Sequence, residues 1–358
     1  MPMMHELLAQ VGGPWRPILR QAGVALLPPV AAIKLESAPG APKATYLVFG
    51  AEARQPELVL KVAERPVDQR RLENAHRALT DLWAIPALQG TLPRPVGLFD
   101  LGDACVLATT VLPGTGLDVL LRRGSRARLD QVQYDLFRAQ VWLQLMQEAT
   151  ASGAMLFEGR PAVIERLALL HHLGVPADAG LRRFADALAE VADDHRGLPV
   201  PLTGRHGNFH PGSILIDNTR LGMVGWEDFS YSMTPFEDVF RLPVGLTDLL
   251  PGPGRAPLPP DEAFRRAFLS PNRLSDMILE YIDRYLRAMH LPPESAHLFF
   301  ALFLMDQALA ERSAQRRHET QGSLWLSRLV LYSESAEHAI FHRLDAAPVA
   351  TKAVSQAA

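Results

Sequence analysis

The stretch from Gly204 to Asp238, GRHGNFHPGSILIDNTRLGMVGWEDFSYSMTPFED, constrains the fold more than any other part of this chain. His206-Gly-Asn208-Phe-His210-Pro-Gly-Ser213 carries Gly, Asn, Pro and Ser at close intervals and reads as a loop. Ser213–Ile216 and Leu221–Val224 read as two short strands. Asp217-Asn218 between them marks a turn, so a hairpin is expected. Gly225-Trp226-Glu227-Asp228 follows the second strand directly. A loop, a hairpin and an acidic end-point bring polar side chains to one mouth. His206 and His210 have a spacing that can bind zinc on a helix, but Gly207, Pro211 and Gly212 forbid a helix here, so no metal pair is read.

The chain before this segment changes character once. Ala31–Glu36, Thr45–Phe49 and Glu57–Ala63 read as strands. Val67–Trp83 has Leu72, Ala75, Leu79 and Leu82 at helical spacing, with charges on the other face. Pro93–Phe99 and Ala104–Thr110 complete a sheet, and Leu112-Pro-Gly-Thr-Gly116 ends it. From Leu129 the pattern is helical, over 129–149, 160–173 and 179–194. After the central segment it is helical again over 261–289, with a break near Ser270-Pro271, then 293–312 and 323–342. The expected class is α+β: a small antiparallel-sheet lobe over 29–112 and a larger helical lobe over 113–344. An N-terminal extension, 1–28, precedes them and a small polar tail, 345–358, follows.

The central segment resembles the catalytic stretch of the aminoglycoside phosphotransferase and choline kinase-like family, which has a two-lobed protein-kinase-like fold. That family shows His-Gly-Asp-x-His-x-x-Asn, a hairpin, Ile-Asp-Trp-Glu and Pro-x-x-Asp. Here the frame stands as His206-Gly207-Asn208-Phe209-His210-Pro211-Gly212-Ser213, Val224-Gly225-Trp226-Glu227 and Pro235-Phe236-Glu237-Asp238. The resemblance implies that Asn208 occupies the place of the catalytic base, and Ser213 and Gly225 the places of two metal ligands. His206 and Asp238 would then brace the loop, while Trp226 reads as core. The departures fall on the three positions that carry the chemistry. Asn cannot take a proton, general-base help is worth roughly two to four orders of magnitude, and glycine offers a magnesium ion no side-chain oxygen.

In the small lobe the resemblance implies that Lys61 anchors a nucleotide phosphate, Glu73 is its ion-pair partner and Val111-Leu112 is the hinge that holds adenine. A triphosphate needs a cation at fixed distance and a carboxylate to orient it. Ser37–Lys43 takes the place of a phosphate-covering loop. Its two prolines remove N–H donors, and Lys43 stands at its exit either as a phosphate contact or as a solvated turn lysine. The leading expectation is a pseudoenzyme, a pseudokinase whose cleft still binds ATP or another small molecule, with magnesium weakly held or absent. The first alternative is an active ATP-dependent phosphotransferase for amino sugars or amino alcohols, its metal moved to Glu227 and Asp217. The second is an interaction module with an empty cleft and a protein ligand.

Composition sets the outer bounds. A net charge of -3 over 358 residues offers no electrostatic grip on nucleic acid or an anionic membrane. The single cysteine, Cys105, lies in an apolar run and reads as a buried strand thiol. The start has no basic stretch before an apolar core, and the longest apolar run, 298–305, is too short to span a bilayer. A cytoplasmic protein is expected.

Overall fold

The computed structural model of the protein describes residues 2–35, 43–125, 128–176, 179–218, 220–252, 258–318 and 323–345. The loop expected to cover a phosphate lies outside these residues except for Lys43, and so does the tail from 346. The elements begin with α1 (Pro2–Gly12), α2 (Arg16–Gln21), β1 (Ala31–Leu35), β2 (Ala44–Phe49), β3 (Leu58–Ala63), α3 (Pro66–Trp83), β4 (Pro95–Leu101), β5 (Ala104–Thr110) and β6 (Thr115–Gly116). There follow α4 (Leu117–Arg122), α5 (Leu129–Ala149), β7 (Gly153–Leu156), α6 (Arg160–His172), α7 (Ala179–Asp194), β8 (Pro199–Arg205), β9 (Ile214–Asp217), β10 (Arg220–Met223) and β11 (Ser230–Met233). Helices α8 (Phe236–Thr247), α9 (Pro260–Phe268), α10 (Arg273–Ala288), α11 (Ala296–His318), α12 (Leu324–Glu334) and α13 (His342–Asp345) close the chain.

The chain divides into two compact units. The first comprises 1–119 with 206–231. Its main sheet is antiparallel in the order β1-β2-β3-β5-β4. β5, next to last in that order, is buried along nearly its whole length, which is why Ala104–Thr109 is a continuous run of small and apolar residues rather than an alternating one. Cys105 is buried there, and burial first, then Glu73 and Asp100, push its thiol up to about 11. Helix α3 buries Leu72, Ala75, Leu79 and Leu82, the stripe that the spacing predicts.

Residues 1–28, whose role the sequence leaves unread, build part of this core. Leu7, Val11, Trp15, Leu19, Val24 and Leu26 pack with Val48, Leu58, Leu60 and Val106. The Trp15 ring stacks on Phe99 with centroids 4.4 Å apart. The hairpin β9–β10 also belongs to this unit, not to the helical part where the sequence reading puts it, and β6 pairs along β9 to make a second small sheet. The second unit, 120–205 with 232–358, is mostly helical. It includes the antiparallel strand pair β7–β8, which Pro199 and Pro201 hide from a reading that treats proline as a strand breaker. No described helix is long and apolar enough to cross a membrane.

Candidate functional site

The loop after β8 is held by its own side chains. His206 is fully buried. Its Nδ1 accepts from the Asn208 N–H at 3.3 Å, so the proton is on Nε2, which lies 3.1 Å from the Val224 carbonyl oxygen and donates to it. The imidazole ties the loop to the end of β10 and meets the Trp226 ring edge-on at 4.5 Å. Gly207 has φ +77°, and a Cβ there would lie 2.3 Å from the Asp228 carbonyl oxygen. Only glycine lets the loop press this closely on the following acidic turn. Asn208 comes next, half-buried.

The acidic turn begins at Gly225, which adopts the left-handed region (φ +87°, ψ 50°) and opens a short 3-10 turn over Trp226–Asp228. The turn sends three side chains in three directions. Trp226 goes into the core and donates to the Met223 carbonyl at 3.1 Å. Asp228 meets Arg71 of α3 at 2.8 Å. Glu227 points at the sheet, where Lys61 of β3 donates to its Oε1 at 2.6 Å and Lys43, just before β2, donates to the same oxygen. The Glu227 side chain is 4 % exposed. Burial alone would push its carboxyl up, but the charges and hydrogen bonds of Lys61 and Lys43 outweigh it and hold the group well below the usual carboxylate range. Lys43 moves down from its ordinary value, because burial and the neighbouring Lys61 charge exceed the attraction of Glu227.

The expected pair of Lys61 with Glu73 is therefore corrected: Lys61 meets Glu227. Helical geometry explains why. Arg71 and Asn74, three apart, share the face of α3 that looks at the acidic turn. Asn74 uses that position to donate to the backbone carbonyls of Glu227 at 3.2 Å and Phe229 at 2.7 Å. Glu73 is turned away from that face and is exposed, near enough to Cys105 to act on its thiol. The residues missed by sequence reasoning are thus Arg71 and Asn74. Their i, i+3 spacing beside the apolar stripe was the available signal.

A magnesium ion, which the family pattern implies, does not fit the residues present. The Ser213 hydroxyl donates to the His210 carbonyl at 2.7 Å and accepts from the His210 N–H at 3.1 Å, so it is used up in closing the turn Pro211–Ser213. A Cβ on Gly225 would come no nearer than 3.9 Å to Glu227 Oε2 and Ser213 Cβ, so a side chain could start here, and glycine offers none. Glu227, read from sequence as a possible substitute ligand, has one carboxylate oxygen, Oε1, held by two ammonium groups that already compensate its charge. Asp217, the other candidate, pairs across the ladder with Arg220 at the turn end of the hairpin, whereas Ile214, next to Ser213, pairs with Met223 at the opposite end. The step of three residues from Ile214 to Asp217 spans roughly 10 Å of strand. Among the described residues no group of three or more His, Cys, Asp or Glu side chains converges as a metal set.

Val111 and Leu112, the expected hinge, line a cavity of about 240 Å³ with Trp83, Leu92, Leu221 and Gly222. A Cβ on Gly222 would lie 2.3 Å from Leu112 Cδ2, so this glycine makes room for the leucine to lie across β10. Asp238 is fully buried in the first turn of α8, in the helical unit.

Comparison with known proteins agrees with this geometry at the level of the fold. The sequence profile of the phosphotransferase enzyme family (APH) matches residues 38–276. No curated protein sequence matches. Among solved structures, a thermostable mutant of aminoglycoside phosphotransferase APH(4)-Ia in its apo form superposes with a TM-score of 0.51 at 14% identity, covering 90% of this chain and 98% of that one. The GDP complex of an aminoglycoside 2′-phosphotransferase-IIIa point mutant gives 0.53 at 14% identity, covering 89% and 95%. Both likenesses bear on the fold: an antiparallel sheet carrying α3, followed by a mostly helical part. With a profile match running from just after β1 into α10, the chain belongs to the phosphotransferase enzyme family.

Proposed function

We propose that this protein binds a phosphate-bearing small molecule, with ATP or a related nucleotide as the type, and that it is a pseudoenzyme without useful phosphoryl transfer. The observation that carries the reading is the pair of lysines on one carboxylate. Lys43 and Lys61 converge on Glu227 Oε1, where the family pattern calls for one lysine and a metal. Two cations at one point suit a polyphosphate better than they suit a single carboxylate, because a triphosphate spreads several charged oxygens over the same space. A member of the same fold holding GDP supports a nucleotide as the ligand class.

Transfer chemistry asks for more. A hydroxyl nucleophile must lose its proton, and Asn208 has no basic atom to take it. The charge that builds up on the transferring group needs a preorganised counter-charge beyond the lysines. Ser213 and Gly225 provide none. The relocated-metal reading would require Glu227 to leave both lysines and accept a divalent cation beside them.

The test is a paired measurement. Calorimetry should detect ATP binding to the wild type, and the Lys43→Met, Lys61→Met double variant should lose it. A sensitive assay for phosphate transfer to aminoglycosides, choline and homoserine should stay at background. Robust turnover would overturn the pseudoenzyme, and equal calorimetric signals in wild type and double variant would overturn the lysine site.

A further inference from the structure

The two faces of the five-stranded sheet are finished differently. Residues paired directly across an antiparallel ladder point to the same side. One face carries Tyr46, Val48, Leu58, Leu60 and Val62, all buried in the core that residues 1–28 help to build. The other face follows the registers Ile33–Leu47–Val59 and Leu35–Thr45–Lys61, with Ala31 opposite Phe49. An antiparallel sheet with one open face normally places polar side chains there. This face does the reverse. Ile33 is 56% exposed and Leu35 41%, while Leu47, Phe49 and Val59 are half-buried. In the paired stretches of β1, β2 and β3 only Thr45 and Lys61 are polar on this side.

The apolar patch begins where the cations are. Leu35 stands in the same row as Lys61, two strands away or about 10 Å, and Ile33 lies one step further along β1, about 12 Å from Lys61. Lys61 and Lys43 meet at Glu227. Apolar residues scattered singly over a surface need no explanation, but here they are cross-strand neighbours and form one contiguous patch. Ile33, Leu35, Leu47 and Val59 offer a ligand no side-chain hydrogen bond, so whatever lies on them is held by apolar area alone. Two ammonium groups beside such a surface are complementary to an amphiphile with an anionic head.

We infer that the two lysines take the diphosphate ester of an aliphatic chain, with the head at Lys43 and Lys61 and the chain lying over Leu35, Leu47 and Ile33. The inference rests on the phosphate reading of the lysines and specifies the organic group attached to the phosphate. A geranyl chain reaches from the head onto Ile33, whereas a dimethylallyl group stops short of it. Each CH₂ taken out of water tightens binding by up to about fourfold, so affinity should climb with chain length until the patch is covered.

The test is a calorimetric series with inorganic pyrophosphate, dimethylallyl diphosphate and geranyl diphosphate, without metal, on the full-length protein. The dissociation constant should fall at least about tenfold from dimethylallyl to geranyl diphosphate in the wild type. An Ile33→Thr, Leu35→Thr double variant, which alters two exposed side chains and keeps β-branched residues in the strand, should lose most of that gain. The Lys43→Met, Lys61→Met variant should bind neither ester. Binding of pyrophosphate and of both esters at one affinity overturns this inference and leaves the phosphate reading standing; the patch is then covered by the chain itself or by a second copy, which sedimentation of wild type and threonine variant tells apart. Geranyl diphosphate binding that survives in the lysine variant also overturns it, because the head is then held elsewhere. Absence of binding by all three probes overturns the phosphate reading together with this one.

Discussion

Replacing Glu227 by glutamine removes the one negative charge between two lysines and leaves the shape of the side chain intact. Both ammonium groups sit on Oε1, so their nitrogens are separated by no more than about 5 Å, two hydrogen-bond lengths. Two unit charges at that distance repel by about 3 kcal/mol in an effective dielectric of ~20. The lysine side chains are 20% and 27% exposed and can swing partly into water, which relieves roughly half of this. Exchanging two charge-assisted hydrogen bonds for neutral ones costs about 1 kcal/mol more. Glu227→Gln should therefore lower the free energy of unfolding by about 2–3 kcal/mol at pH 7, read as a shift in urea midpoint at constant slope. The pH dependence has a definite sign. The folded Glu227 carboxyl titrates below its ordinary value of 4.5, so its stabilising effect is complete above 4.5 and is lost as pH falls through the depressed folded value. The gap between wild type and variant should hold steady from pH 8 to pH 5 and close below 4.5. The freed lysines should also bind inorganic tripolyphosphate at least about tenfold more tightly than in the wild type, since no carboxylate competes. An unchanged midpoint at pH 7, or unchanged tripolyphosphate affinity, would refute the reasoning.

Gly207→Ala should unfold the protein or cost about 3 kcal/mol or more, because it adds both a left-handed strain and a clash with the Asp228 carbonyl; urea titration reads it. The Cys105 thiol, buried and raised to about 11, should be unreactive toward a disulfide reagent at pH 8 in the native protein and react at once in urea. Trp15→Ala should cost about 3–5 kcal/mol, and deletion of residues 1–28 should abolish soluble expression, since these residues are core rather than extension.

The fold was largely legible because its elements have strong periodicity. Helix α3, helix α5 and the strands β2, β3 and β5 lie within a residue or two of where alternation and spacing predict them. The strands β7 and β8 were not legible, since one is short and mostly exposed and the other begins with Pro-Val-Pro. The site was legible in its frame and not in its wiring. The loop from His206, the hairpin and the turn at Gly225 follow from glycine, proline and the turn residues. Which carboxylate Lys61 meets depends on a 3-10 turn that rotates Glu227 toward the sheet and on a helix face that presents Asn74 rather than Glu73. Sequence spacing alone cannot decide between two acidic residues more than 150 positions apart, because their meeting is a property of tertiary packing. Ser213 shows the same limit: its type suggests a shortened metal ligand, and its hydrogen bonds show a turn closure.

The central claim is that two lysines stand where a lysine and a metal would be expected, and the direct measurement is the calorimetric affinity for ATP with excess Mg²⁺ and with chelator. Metal-free ATP carries more negative charge, and Lys43 and Lys61 meet it without a carboxylate at position 225 to repel it. The account predicts that chelation leaves binding unchanged or strengthens it. Strict dependence of binding on Mg²⁺ would contradict it, and would mean that a carboxylate, Glu227 first among them, leaves its lysines to hold the ion.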